Sequence, residues 1–138
     1  MKKVLFLKSD MTVVNDGGTR VASLLINELV KEGIEIFCIS LEKKNKKTAF
    51  EIDKRVEINY VGEDIKRIRD KFIYKFFYLR NYIKKNNIDI IIGIGIGVSL
   101  FSIFSTLGLK TKVISTEHTS LSNKYNQRFY TKVSRYIA

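Results

Sequence analysis

Short, almost purely apolar runs recur along this chain, each followed by a longer stretch with helical spacing. Residues 3–8 (KVLFLK), 34–40 (IEIFCIS), 56–61 (VEINYV), 88–94 and 111–116 (TKVIST) read as strands. Residues 19–32, about 65–86 and about 98–108 read as helices between them, and 121–138 is again helix-like. Strands that are apolar on both sides need cover on both sides, which is the condition of a parallel sheet. Alternating helices supply that cover. The pattern predicts an α/β fold: a doubly wound, Rossmann-like parallel sheet with helices on both faces. Ligands of such sheets bind at the carboxyl ends of the strands. At 138 residues the chain is one domain at most, with enough mass to bury a core.

The helical stretches carry recognisable faces. In 19–32, Val21, Ala22, Leu25, Ile26 and Leu29 share one side, and Gly33 is the expected stop. At 100° per residue, the 65–86 helix has a core stripe of Ile65, Ile68, Phe72, Phe76, Leu79 and Ile83. Ile73, Tyr74, Phe77 and Tyr78 fall off that stripe, beside Lys66, Arg67, Lys84 and Lys85. Such a mixed face suits an anionic bilayer surface, or burial under a neighbouring segment. Residues 42–55 (EKKNKKTAFEIDKR) read as a charged loop.

Several classes are set aside at this stage. Residues 90–109 carry no charge over the length of a membrane span. Their glycines, serines and threonine divide them instead into strand, glycine-rich turn and helix. The apolar run after the first three residues is four residues long, too short for a signal peptide. The single cysteine, Cys38, permits no internal disulfide and offers no structural zinc set, which favours a cytoplasmic protein. A net charge of +11 points to an anionic partner such as nucleic acid, a membrane face or a phosphate ligand, or to a lysine-rich bias alone.

The adjacent glycines Gly17 and Gly18, in DGGTRV, stand where the first helix begins. A helix start after the first strand presents backbone N–H groups and a positive dipole end to an anion. Glycine there lets a phosphate or sugar approach the backbone, or serves only the turn. No Gly-Lys-Ser/Thr ending follows, so this is not a P-loop, and neither this loop nor GIGIG (93–97) fits the dinucleotide fingerprint. A nicotinamide enzyme is therefore disfavoured. Glu42, at the end of the second strand, reads as a solvated loop residue rather than a ribose-binding acid.

Taken in order, DGGTRVASLLINELVKEGIEIFCIS, NNIDIIIGIG and VISTEHTS resemble the amino-terminal half of family 4 glycosyltransferases. The likeness covers nearly the whole chain. Where the family often reads Gly-Gly-x-Glu-Arg, this chain has Gly-Gly-Thr-Arg. The resemblance implies a GT-B fold of two Rossmann-like domains, residues 1–138 forming the amino-terminal, acceptor-side one. The carboxy-terminal domain, absent from this chain, would hold the nucleotide-sugar. It further implies transfer with retention, no metal and no other cofactor.

On the same resemblance, Gly17, Gly18, Thr19 and Arg20 bind substrate, with the glycine N–H groups near the donor diphosphate. His118, the only histidine, becomes the catalytic residue at the donor sugar. From the residues themselves, Thr119 beside it offers a hydroxyl suited to sugar, and Glu117, counted with it as a substrate contact, reads also as structural or as orienting the loop. From the residues alone, a lone histidine reads first as a structural hydrogen-bonder, and it is the position at a strand end together with the resemblance that turns the reading toward the site. The expected partners are a nucleotide-sugar donor, a glycan, protein or lipid-linked acceptor, and an anionic membrane surface met from the cytoplasmic side. The alternative is a non-catalytic nucleotide-, nucleic-acid- or carbohydrate-binding module; no recognition motif for DNA or RNA is present, and no specific nucleic acid is expected.

Overall fold

A computed structural model describes residues 1–61 and 68–117. The elements follow as β1 (Lys3–Asp10), α1 (Gly17–Lys31), β2 (Glu35–Glu42), β3 (Ile58–Tyr60), α2 (Ile68–Asn86), β4 (Ile90–Ile94), α3 (Ile96–Thr106) and β5 (Lys112–Thr116). All strand pairs are parallel, in the order β3-β2-β1-β4-β5. The predicted doubly wound sheet is present. The connections reverse direction between β1 and β4, which makes that boundary the topological switch point.

The period-two alternation of β1 distributes the core. Val4 and Phe6 pack with Ala22, Ile26 and Val30 of α1 on one face. Leu5 and Leu7 pack with Leu79 and Ile83 of α2 and with Val98 and Phe101 of α3 on the other. Gly33 ends α1 in the left-handed region (φ 79°), with the Ile34 N–H donating to the Leu29 carbonyl at 3.1 Å.

Two faces differ from the sequence reading. The side of α1 against the sheet runs through Thr19, Ala22, Ser23, Ile26 and Val30, while Leu25 is 40% exposed. Small hydroxyl residues occupy that side because their polar atoms are satisfied: Thr19 donates to the Asp10 carbonyl (3.3 Å) and Ser23 to the Thr19 carbonyl (2.9 Å). On α2, Leu79 and Ile83 are buried as expected, but Phe72 is 60% exposed. It meets Phe101 of α3 edge-on at 5.5 Å rather than entering the core. Ile65, the Ile68 side chain and the 121–138 segment lie outside the described residues.

The uncharged 90–109 segment divides as its composition predicts. Helix α3 lies directly on β4 because both present small surfaces: a Cβ added to Gly93 would stand 3.0 Å from Ser99 Cα. Ser99, Ser102 and Thr106 face inward and donate to backbone carbonyls at 2.9–3.1 Å. Among the described residues, no helix is long and apolar enough to cross a membrane.

The charged 42–55 segment is not simply solvated. Lys44 N–H donates to the Asp10 carboxylate (3.1 Å), Asn45 N–H to Thr12 Oγ1 (3.1 Å), and Ala49 N–H to the Met11 carbonyl (3.0 Å). Farther on, Asn27 of α1 donates to the Glu51 carbonyl and accepts from Asp53 N–H. The segment is therefore tied to both β1 and α1.

Candidate functional site

The start of α1 stands above the carboxyl ends of β1 and β4. Asp16 is the N-cap, and its side chain accepts from the Gly18 N–H at 2.9 Å. Its carbonyl accepts from the N–H groups of Thr19 (3.1 Å) and Arg20 (3.3 Å). Gly17 and Gly18 are thus the first two helical residues rather than a loose loop, and most of the turn's donors are already engaged. The Gly17 N–H has no protein partner among the described residues. It is the donor left for a ligand.

The two glycines have different surroundings. A Cβ on Gly18 would lie 3.1 Å from Asp16 Oδ1, 3.2 Å from Ile94 Cγ2 and 3.4 Å from Lys8 Nζ, and the residue is buried. A Cβ on Gly17 would meet nothing within 4 Å, and that residue is exposed. Gly18 is small for internal packing. Gly17 is the glycine that an approaching ligand would meet.

Beneath this turn Lys8 Nζ pairs with Asp16 Oδ2 at 2.6 Å, with 8% of the lysine side chain exposed. Burial works to raise the Asp16 pKa, but the hydrogen bond and charge of Lys8, with the Gly18 N–H, hold it below the ordinary value. Thr19 is fully buried, its hydroxyl on the Asp10 carbonyl, whereas Arg20 is exposed. Neither Lys8 nor Asp16 was marked by the sequence, where a lysine after an apolar run reads as the strand's end.

Across the switch point, β4 runs into α3 through Gly95 (φ 99°), whose N–H donates to the Thr116 carbonyl at 2.9 Å. Thr116 Oγ1 donates in turn to the Gly93 carbonyl at 3.1 Å. These bonds fix the end of β5 against that of β4. Glu117 follows directly and is exposed. The expected site residues His118 and Thr119 lie outside the described residues.

A second concavity opens at the ends of β2 and β3. It encloses about 620 Å³ between Leu41 and Glu42, the Lys43–Lys46 loop, Val61, and Lys71 and Lys75 of α2. No local pattern announces it, because its two lysine groups are far apart in the chain. The remaining thiol, Cys38, is buried in the core, which pushes its pKa up to about 12 and leaves it no nucleophilic role.

A doubly wound α/β domain with a glycine-opened helix start at its switch point belongs to the Rossmann-like class. More particularly, residues 15–138 match the model of Glycosyltransferase Family 4, and the chain belongs to that family. It is 27% identical over 139 residues to an uncharacterised glycosyltransferase of Haemophilus influenzae, covering 100% of this chain and 38% of that protein. A glycosyltransferase from Rickettsia africae shares the fold with a TM-score of 0.63 at 17% identity, over 96% of this chain and 34% of its own. The apo form of a lipopolysaccharide outer core galactosyltransferase does so with a TM-score of 0.68 at 19% identity, over 97% and 37%. The chain therefore spans well under half the length of these relatives.

Proposed function

We propose that this chain is the amino-terminal, acceptor-side domain of a two-domain GT-B glycosyltransferase. The whole protein would move a sugar, with retention, from a nucleotide-sugar to a lipid-linked, glycan or protein acceptor. The family match over residues 15–138 carries this reading. The open position at Gly17 supports it, since an anion can reach that N–H without meeting a side chain.

In this mechanism the Gly17 N–H and the α1 dipole stabilise the negative charge that grows on the departing nucleotide diphosphate. Arg20, exposed at the start of the same helix, adds a charge-assisted contact. Gly18 and Thr19 act from beneath, one leaving room for the Lys8–Asp16 pair and the other tying the turn to Asp10. His118 contacts the donor sugar at the reacting carbon, with Glu117 and Thr119 shaping its loop. The nucleotide itself is held by the second domain, and the reaction uses no metal. The protein works in the cytoplasm at the inner face of the membrane, where the exposed aromatics of α2 meet lipid.

The test is a transfer assay on the full-length protein with a panel of nucleotide-sugars, reading the anomeric configuration of the product. His118→Ala should lower kcat more than it raises KM, as loss of a contact made mainly in the transition state does. The 138-residue chain alone should bind donors very weakly and transfer nothing. Submicromolar donor affinity in that chain, with no transfer by the full-length protein, would instead identify a nucleotide-binding module.

A further inference from the structure

Among the described residues, the cavity at the ends of β2 and β3 is lined by five lysines, Lys43, Lys44, Lys46, Lys71 and Lys75, and one glutamate, Glu42. Lys75 Nζ lies 3.9 Å from Glu42 Oε1, at the outer limit of an ion pair, and among the described residues Lys44, Lys46 and Lys71 have no ion-pair partner. Only 13% of the Lys75 side chain is exposed, and burial together with the nearby Lys71 charge lowers its pKa, against the pull of Glu42. A partly desolvated ammonium group beside a like charge favours an anion in the space between them.

The walls are also held in place. Lys44 and Asn45 are fastened by their backbone N–H groups to Asp10 and Thr12, and the Asn45 side chain donates to the Thr12 carbonyl at 2.9 Å. Lys43 lies over the Tyr60 ring at 4.6 Å. Asp10, which orders this loop, also accepts the Thr19 hydroxyl at the start of α1. One residue thus positions both the lysine wall and the helix turn facing the switch point. At about 620 Å³ the space is of ordinary ligand size and far larger than a single phosphate needs.

We propose that this cavity binds the phosphate or diphosphate group of a glycosyl acceptor, so that the acceptor is an anionic phosphate ester. The assignment to acceptor rather than donor rests on the acceptor-side reading above. The lysines supply point-charge contacts to phosphate oxygens. The phosphate could be carried by a lipid or by a soluble sugar phosphate; the binding chemistry is shared.

The experiment titrates the full chain with inorganic pyrophosphate by calorimetry, comparing Lys71→Gln with Lys75→Gln against the equally charge-depleted control Lys84→Gln with Lys85→Gln. The cavity variant should bind about tenfold or more weakly, the loss of two charge-assisted contacts, and the control should match the wild type. Equal affinity in both double variants overturns the proposal. Displacement of pyrophosphate by farnesyl diphosphate at lower concentration identifies a lipid-borne phosphate, and displacement by glucose 1-phosphate a soluble one. Displacement by neither overturns the assignment, as does UDP bound through these lysines about tenfold more tightly than pyrophosphate. In the full-length protein, an unchanged acceptor KM in the cavity variant removes the site and leaves the transferase. Lysine-dependent pyrophosphate binding without any sugar transfer does the reverse.

Discussion

Lys8 and Asp16 form a 2.6 Å ion pair that fastens the end of β1 to the first turn of α1, with the lysine buried and 34% of the aspartate side chain exposed. Asp16 thereby has two duties, capping the helix through the Gly18 N–H and neutralising a charge that β1 carries into the interior. Asp16→Asn keeps an acceptor for the cap and removes the countercharge. It should cost about 1–3 kcal/mol, less than for a fully buried pair because Asp16 is partly solvated. Asp16→Ala should cost about 1 kcal/mol more, the worth of the cap.

The same pair gives a pH signature. The native Asp16 pKa lies below 3.8, so its contribution is complete above that value and is lost as pH falls through the native one. In urea unfolding, the stability gap between wild type and Asp16→Asn should be widest near neutrality and close in strong acid. A gap independent of pH would show that the asparagine acts through the cap geometry and not through the charge.

The two glycines should separate packing from ligand approach. Gly18→Val puts a branched side chain among Asp16, Ile94 and Lys8 and should destabilise the domain by about 1–3 kcal/mol, the range for overpacking. Gly17→Ala meets nothing and should leave stability unchanged or raise it by up to about 1 kcal/mol. Turnover of the full-length protein should nonetheless fall by about tenfold or more in Gly17→Ala, the order of a weakened diphosphate contact. Normal turnover in that variant would reduce Gly17 to a helix-start residue.

Much of this architecture is legible in the order of residues. The apolar runs announced all five strands, and Gly33 marked the end of α1, because strand burial and helix termination are set by local composition. What escaped depends on contacts between distant elements. Gly17 and Gly18 are equivalent in sequence and differ only because Ile94 of β4 and Lys8 of β1 lie under one of them. Lys8 looked like a strand end, since nothing nearby in the sequence reveals that Asp16 folds back over it. The lysine cavity joins a loop after β2 to α2, a juxtaposition made by the parallel crossover. On α1, hydrophobicity pointed to Leu25, but satisfied hydroxyls allowed Thr19 and Ser23 to take the inward side.

The seating of α3 on β4 makes a sharper stability prediction. Gly93→Ala brings a methyl group within 3.0 Å of Ser99 Cα, a backbone atom that moves only with its helix. The expected loss is about 1–3 kcal/mol, measured as a lower urea midpoint with an unchanged slope. Combining it with Ser99→Ala should restore stability only in part, because it removes the hydroxyl oxygen at 3.1 Å and leaves the Cα at 3.0 Å. Full rescue by that second substitution would place the conflict at the side chain instead.

The outer surface of α2 bears on where the protein works. Phe72, Ile73, Tyr74 and Phe77 are 47–60% exposed, and Lys84 and Lys85 lie exposed farther along the same helix. Apolar rings give membrane affinity through burial, while lysines near an anionic surface contribute about 1 kcal/mol each. If both act, vesicle binding should require anionic lipid, weaken as salt shortens the electrostatic reach, and fall by about tenfold or more in Lys84→Glu with Lys85→Glu. Phe77→Ser should weaken binding at every salt concentration, because the hydrophobic contribution is not screened. A Phe77→Ser protein that binds anionic vesicles as the wild type does would mean that lysines alone meet the surface. Binding to neutral and anionic vesicles alike would remove the electrostatic contribution, and no binding to either would assign the exposed rings to a protein neighbour.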